Sequence, residues 1–201
     1  ATPGVYDVSL TVTNGNGTDT QSESQYLTIL PEPAIPYSTD FEASDGGFLA
    51  YSLTGDPAYR WEWGKCSSFS LKGPTYGTVA GTKSWATVLA AYHGYWCKYA
   101  LESPPFSFAP PGTYTLSFQF RCLVGANAGF NVEVSTDGGA SWNRLGDYED
   151  PLGNTWYDTA AVGGLDGQPG WTSPVVPLTI RSPFYDVSAY ARHPDVRFRF
   201  V

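Results

Sequence analysis

Between Tyr114 and Cys122 the chain alternates without a break. Tyr114, Leu116, Phe118, Phe120 and Cys122 are apolar, and Thr115, Ser117, Gln119 and Arg121 are polar. A strand turns successive side chains to opposite faces, so this stretch predicts a strand with one buried and one wetted face. Phe130-Asn131-Val132-Glu133-Val134-Ser135 repeats the alternation and runs into Thr136-Asp137-Gly138-Gly139. That tetrapeptide is a hairpin signal, because Asp and Gly tolerate positive φ. Trp142 then returns on the next strand. Strand, hairpin and strand with no helical period between them predict antiparallel β structure.

The same period marks the start of the chain, where Tyr6, Val8, Leu10 and Val12 alternate with Asp7, Ser9, Thr11 and Thr13. Asn14-Gly15-Asn16-Gly17 makes the turn and Tyr26–Leu30 the return strand, so residues 1–30 predict a β-hairpin. A lone hairpin is marginal in water, so it belongs to something larger. Pro31-Glu32-Pro33-Ala34-Ile35-Pro36 carries three prolines in six residues and reads as an extended linker over 31–36. A second domain is expected over 37–201. Its strand-like pieces are Thr39–Glu42, Tyr59–Gly64, Lys83–Leu89, Tyr99–Pro104, the central hairpin, Val175–Ile180 and Val196–Val201. A Gly-rich excursion fills Asp147–Gly170, and only Val187–Ala191 suits a helical turn. Many short strands with long connections predict an all-β sandwich, and the spacing suits a jelly roll.

Composition adds bounds. The 201 residues are 42% hydrophobic, enough for a substantial core, and the length suits one domain plus a piece of another. Gly 22, Pro 16 and 16% aromatics fit short strands and tight turns. A net charge of −8 argues against nucleic acid, whose binders cluster Lys and Arg. No apolar run approaches the ~20 residues of a membrane span, so no membrane insertion is expected. The chain begins at Ala1 and has no Met, which predicts a mature or internal fragment. Cys66, Cys97 and Cys122 lack CxxC spacing, so zinc is not expected. Cys122 continues an apolar strand face and reads as a buried small hydrophobe. Cys66 and Cys97 lie in loop-like sequence and are the preferred disulfide pair, although spacing leaves the connectivity open.

Catalytic constellations are hard to find. His93 and His193 sit in turn-like sequence, outside any HExxH motif or nucleophile elbow. Glu62, Glu102 and Glu133 are strand carboxylates whose polar-face placement accounts for them without glycoside chemistry. No enzyme activity is expected. Asp40, Glu42 and Asp45 place three hard oxygen ligands within six residues, a partial shell for Ca2+, which takes ~6–8 oxygens. The other reading is a solvated acidic strand and turn, and the two stay open. Trp156, Tyr157 and Trp171 either stack on sugar rings or cover the core, and large aromatics are mostly buried.

Three resemblances follow. Ser135-Thr136-Asp137-Gly138-Gly139-Ala140-Ser141-Trp142 resembles the Asp-box, S-x-D-x-G-x-[ST]-W, in which Asp and Ser brace a turn over the Trp. There is one copy, which implies a braced hairpin rather than a propeller. Pro3–Asn14 resembles the last hairpin of a PKD (polycystic kidney disease-type) domain, an Ig-like sandwich with the pattern PGxYxVxLTVTN. Across 37–201 the chain is similar to the MAM-like jelly-roll modules of secreted bacterial proteins, including cleaved-adhesin domains. The landmarks are Asp40-Phe41-Glu42, Trp61-Glu62-Trp63-Gly64, Gly81–Leu89, Leu101-Glu102-Ser103-Pro104, Leu116–Phe120, Val134–Trp142 and Asp186–Tyr190. Members usually close with a further strand like G-W-Y-I-D-D-[IV]. Its absence predicts an open sheet edge and self-association through it. The resemblance implies a structural Ca2+ near the opening Phe-Glu segment. It also implies an adhesion or recognition module, extracellular or on a bacterial cell surface, whose partner is a glycan or protein there. An accessory domain of a secreted protease or glycosidase and a structural repeat of a surface fibre are the alternatives.

Overall fold

The computed structural model describes residues 2–29, 32–65, 79–87, 89, 96–125, 127–173 and 179–201. The chain divides into two compact units, Ala1–Pro33 and Ala34–Val201, inside the proline-rich stretch.

The first unit is the expected hairpin. β1 (Gly4–Asn14) pairs antiparallel with β2 (Gly17–Ile29), from Gly4↔Ile29 to Asn14↔Gly17. The Asn14 side chain accepts from the Asn16 N–H at 2.8 Å and closes the turn, a role for which Asn is favoured. A bulge lies between Tyr6 and Val8, where the Asp7 carboxylate accepts from the Gln25 N–H at 2.7 Å.

The second unit has no α-helix among the described residues. The Val187–Ala191 stretch gives a single 3-10 turn at Ser188–Tyr190. β3 (Leu49–Thr54), β6 (Lys98–Glu102), β14 (Arg197–Phe200), β8 (Val132–Ser135) and β9 (Asn143–Arg144) form a five-stranded sheet in the order β3-β6-β14-β8-β9. β10 (Gly153–Asn154), β13 (Phe184–Asp186) and β7 (Thr115–Ser117) form a three-stranded sheet. β4 (Trp61–Lys65) pairs with β5 (Lys83–Thr87), and β11 (Thr159–Val162) with β12 (Gln168–Gly170). All strand pairs are antiparallel, and the sheets stay open.

The alternation read at Tyr114–Cys122 holds in the burial, although the strand itself is only Thr115–Ser117, followed by a lone bridge from Phe120 to Arg181. Leu116, Phe118 and Phe120 are half-buried, Cys122 is buried, and Thr115, Ser117 and Gln119 are exposed. β14 does the same: Phe198 enters the core while Arg197 and Arg199 stay on the outer face. The core joins Val132, Val134, Leu145, Trp156, Tyr157, Trp171, Tyr185, Val187, Val196 and Phe198. On the outer face Arg199 pairs with Glu133 at 2.5 Å and lies 4.4 Å over the Trp142 ring. There Glu102, nearly buried, accepts from Arg197 at 3.1 Å and from the Tyr51 hydroxyl at 2.9 Å.

Several expectations are corrected. Thr39–Glu42 is not a strand: the Asp40 side chain accepts from the Glu42 N–H at 3.0 Å and Phe41 takes φ 61°, which bends the chain. Leu49–Thr54, unmarked by alternation, is a strand because β6 supplies its partners. The Gly-rich excursion contains β10, β11, β12 and a second 3-10 turn at Gly163–Leu165, where only Val187–Ala191 had suited one. The last strand, β14, is flanked by β6 and β8 on both sides. Among the described strands the edges of that sheet are β3 and β9. The strand expected at Val175–Ile180 lies mostly outside the described residues.

Candidate functional site

The β4–β5 hairpin carries three tryptophans. Trp61, Trp63 and Trp85 meet on it through the registers Trp61↔Thr87 and Trp63↔Trp85. Residues two apart on a strand share a face, so the indoles of Trp61 and Trp63 lie on one side with their cross-strand neighbour Trp85. All three are half-buried. With Ala50, Arg60 and Glu62 they line an open groove of ≈ 320 Å³.

The 39–48 loop fixes this hairpin. The Trp63 indole N–H donates to the Phe41 carbonyl at 2.8 Å, and the Trp85 N–H to the Asp45 carbonyl at 3.0 Å. Glu42 Oε1 accepts from the backbone N–H groups of Thr82 and Lys83, each at 2.7 Å, and Oε2 accepts from the Thr82 hydroxyl at 2.8 Å. Lys83 Nζ donates to the Glu42 carbonyl at 2.9 Å and sits 4.7 Å from the Trp63 ring centroid. These donors, the Lys83 N–H first and the Thr82 N–H next, hold the Glu42 carboxyl below its ordinary pKa. The Glu62 carboxylate accepts from the Leu89 N–H at 2.7 Å. The Trp61 indole nitrogen is enclosed and has no hydrogen-bond partner among the described residues.

The acidic trio read as a Ca2+ site is therefore placed differently. Asp40 caps the Glu42 N–H, and Asp45 accepts from the Gly47 N–H at 2.9 Å. Both Glu42 oxygens are taken by donors, which a cation would have to displace. Among the described residues no group of three His, Cys, Asp or Glu side chains converges as a metal site.

Trp156, Tyr157 and Trp171 meet in the core, with relative exposures of 3%, 4% and 0%. The Trp156 and Tyr157 polar tips both donate to the Leu145 carbonyl, at 2.9 and 2.8 Å. Burial pushes the Tyr157 phenol well above its usual pKa. In this position the indoles have no open face for a sugar. Tyr157 and Trp171 contribute instead to the inner wall of a second cleft, of ≈ 570 Å³, rimmed by Thr155, Asp158, Thr159, Thr172, Ser173 and Arg181. There the Arg181 guanidinium is already engaged by the Asp158 carboxylate and the Thr172 carbonyl.

The Asp-box turn is braced as its sequence implies. Ser135 Oγ donates to Asp137 at 2.8 Å and accepts from the Gly139 N–H at 2.9 Å. Asp137 accepts from the Ser141 N–H at 2.9 Å, and the Trp142 indole N–H caps the Gly139 carbonyl at 3.0 Å. Gly138 and Gly139 take φ of 76° and 89°, where a side chain would be strained. The Ser141 hydroxyl first, then its N–H and the Ser135 hydroxyl, hold Asp137 down to about 2.

The remaining chemistry-bearing residues have structural settings. His193 is exposed, and its carbonyl accepts from the Phe108 N–H at 2.9 Å. His93 and Cys66 lie outside the described residues, so the Cys66–Cys97 pairing is not described. Cys122 is buried, and desolvation raises its thiol to about 11. Sequence reading missed the groove itself. Its only local signal was the alternation of Trp61, Glu62 and Trp63. No protein-family model, curated protein or solved structure matches the chain.

Proposed function

We propose that this chain is a non-catalytic recognition module of an extracellular or bacterial-surface protein, and that its ligand sits in the tryptophan groove on β4–β5. One observation carries the reading: three half-buried indoles on a single hairpin, two of them fixed by carbonyls of a loop about 20 to 40 residues away in sequence. Trp156 and Trp171, by contrast, are covered. Amphipathic rings held half-open on a rigid element are the usual material of a binding surface. The strand carboxylates support the non-catalytic part, since Glu62, Glu102 and Glu133 are each tied to a backbone N–H, hydroxyl or guanidinium partner. No two of them stand open as an acid–base pair.

The test is attachment to surfaces. Fluorescently labelled chain is incubated with isolated bacterial cell walls and with fixed animal cells, beside a Trp63→Ala/Trp85→Ala double variant. The expected result is saturable attachment that the double variant loses while its far-UV spectrum keeps the β signature. Equal attachment by both proteins would overturn the groove as the binding surface. Turnover of a peptide or glycoside panel, abolished by one point mutation, would overturn the non-catalytic reading.

A further inference from the structure

Taking the groove as the binding surface, we infer that it is a subsite for a short neutral saccharide, which stacks on Trp61 and Trp85 and is oriented by Arg60. A pyranose ring has faces of C–H bonds and an equator of hydroxyls. The faces suit indole rings, and the hydroxyls suit charged donors and acceptors at the rim. The groove supplies both in one place: three indoles and an exposed Arg60 without an ion-pair partner among the described residues. Trp63 is the least available platform, because Lys83 already covers one face. That leaves Trp61 and Trp85 as the stacking pair.

Size and charge narrow the class. At ≈ 320 Å³ the groove lies at the small end of the ~300–1,000 Å³ range of ligand clefts, room for about two sugar rings. A protein partner would instead need a flatter patch burying ~800 Å² on this side. The chain's net charge of −8 repels polyanionic glycans at long range, which favours neutral sugars.

The experiment titrates the whole chain with cellobiose, mannobiose and N,N′-diacetylchitobiose. Digalacturonate serves as the anionic comparison, and a set of Trp-free hexapeptides as the protein-like one. Tryptophan fluorescence and saturation-transfer NMR are the readouts. At least one neutral disaccharide should shift the fluorescence with half-saturation near ~1 mM, and its ring C–H protons should receive saturation. Trp85→Ala should weaken that binding about tenfold or more. Because this change also removes the bond to Asp45, Arg60→Ala is the second variant. Arg60 is exposed, so its loss leaves the fold alone, and it should weaken binding several-fold or reorder the preference among the three sugars. Binding of hexapeptides with no sugar response would overturn the saccharide class while leaving the recognition reading standing. Preference for digalacturonate would overturn the neutral assignment. A sugar response unchanged in both variants would overturn the groove as its seat.

Discussion

Replacing Trp171 by alanine should cost the second unit much of its stability. Trp171 is fully buried, with ring centroids at 4.6 Å from Tyr157, 4.9 Å from Trp156, 5.0 Å from Phe130, 5.4 Å from Phe120 and 5.6 Å from Phe118. Its backbone exchanges two hydrogen bonds with Phe130, and its indole N–H donates to the Thr155 carbonyl at 3.0 Å. Removing the ring leaves a void among aromatic side chains that cannot collapse into it, and such truncations cost ~3–5 kcal/mol. The stranded Thr155 carbonyl adds about 1 kcal/mol. The total, about 4–6 kcal/mol, is a large part of the ~5–15 kcal/mol that holds a domain folded. At ~2–4 °C per kcal/mol the melting midpoint should fall by roughly 8–24 °C. Trp171→Phe keeps a ring but loses the bond and the second ring, and should fall about half as far. Thermal melts followed by near-UV dichroism on wild type, Phe and Ala variants read the order directly. An alanine variant melting within about 3 °C of wild type would show that the Gly153–Trp171 region packs without its central ring, and the core assignment would fail.

Three further outcomes follow from the local geometry. Glu42→Gln should lower the midpoint by the same amount in calcium and in EDTA, because its oxygens serve the Thr82 and Lys83 donors. A midpoint raised by calcium in wild type and not in the variant would restore the cation site. The sign with pH is set by the depressed Glu42 carboxyl: its contribution is present above the unfolded value near ~4.3 and is lost as pH falls through the lower folded value. Asp137 should titrate near 2 by carboxyl NMR, against an unfolded value near ~3.9, so the hairpin tip keeps its braces until the pH falls toward 2. A measured pKa near the unfolded value would mean that the Ser135 and Ser141 bonds do not persist in solution. Cys122, buried with its thiol at about 11, should resist an aromatic disulfide reagent at pH 8 until the protein unfolds. If Cys66 and Cys97 are joined, unfolded and unreduced protein should then show one thiol.

What the sequence displayed depended on the range of the forces involved. The strand around Leu116 was legible because a half-buried sheet imposes period two on neighbouring residues. The Asp-box turn was legible because Ser135, Asp137 and Ser141 make their bonds within six residues. β3 was not legible, since its pairing with β6 spans about fifty residues and its own residues do not alternate. The groove was half legible. Trp61, Glu62 and Trp63 advertise a strand with an aromatic face, but nothing local says that Phe41 and Asp45 carbonyls will hold Trp63 and Trp85. Backbone acceptors carry no residue signature. The placement of Trp156, Tyr157 and Trp171 was equally undecided, because a glycine-rich segment is compatible with a mobile surface loop and with a tightly folded wall of the core.

The acidic loop shows how one sequence feature supports two chemistries and how the donors around it choose between them. A calcium ion needs carboxylate oxygens that point to a common centre and have lone pairs to spare. A two-stranded hairpin needs something outside itself, because it is marginal on its own. At Glu42 the second need is met: three donors from Thr82 and Lys83 take its two oxygens, and the Phe41 and Asp45 carbonyls on either side take two indole N–H groups. The negative charge that looked like a cation ligand is thus spent on aligning β5 beneath its tryptophans. On the proposed recognition role, this ties the loop to the groove without contact with a ligand. Glu42→Gln should weaken ligand binding at the groove by loosening Trp63 and Trp85, and tryptophan fluorescence anisotropy should fall with it. Unchanged anisotropy together with weakened binding would mean that Glu42 touches the ligand itself, and the clamp would lose its place in the argument.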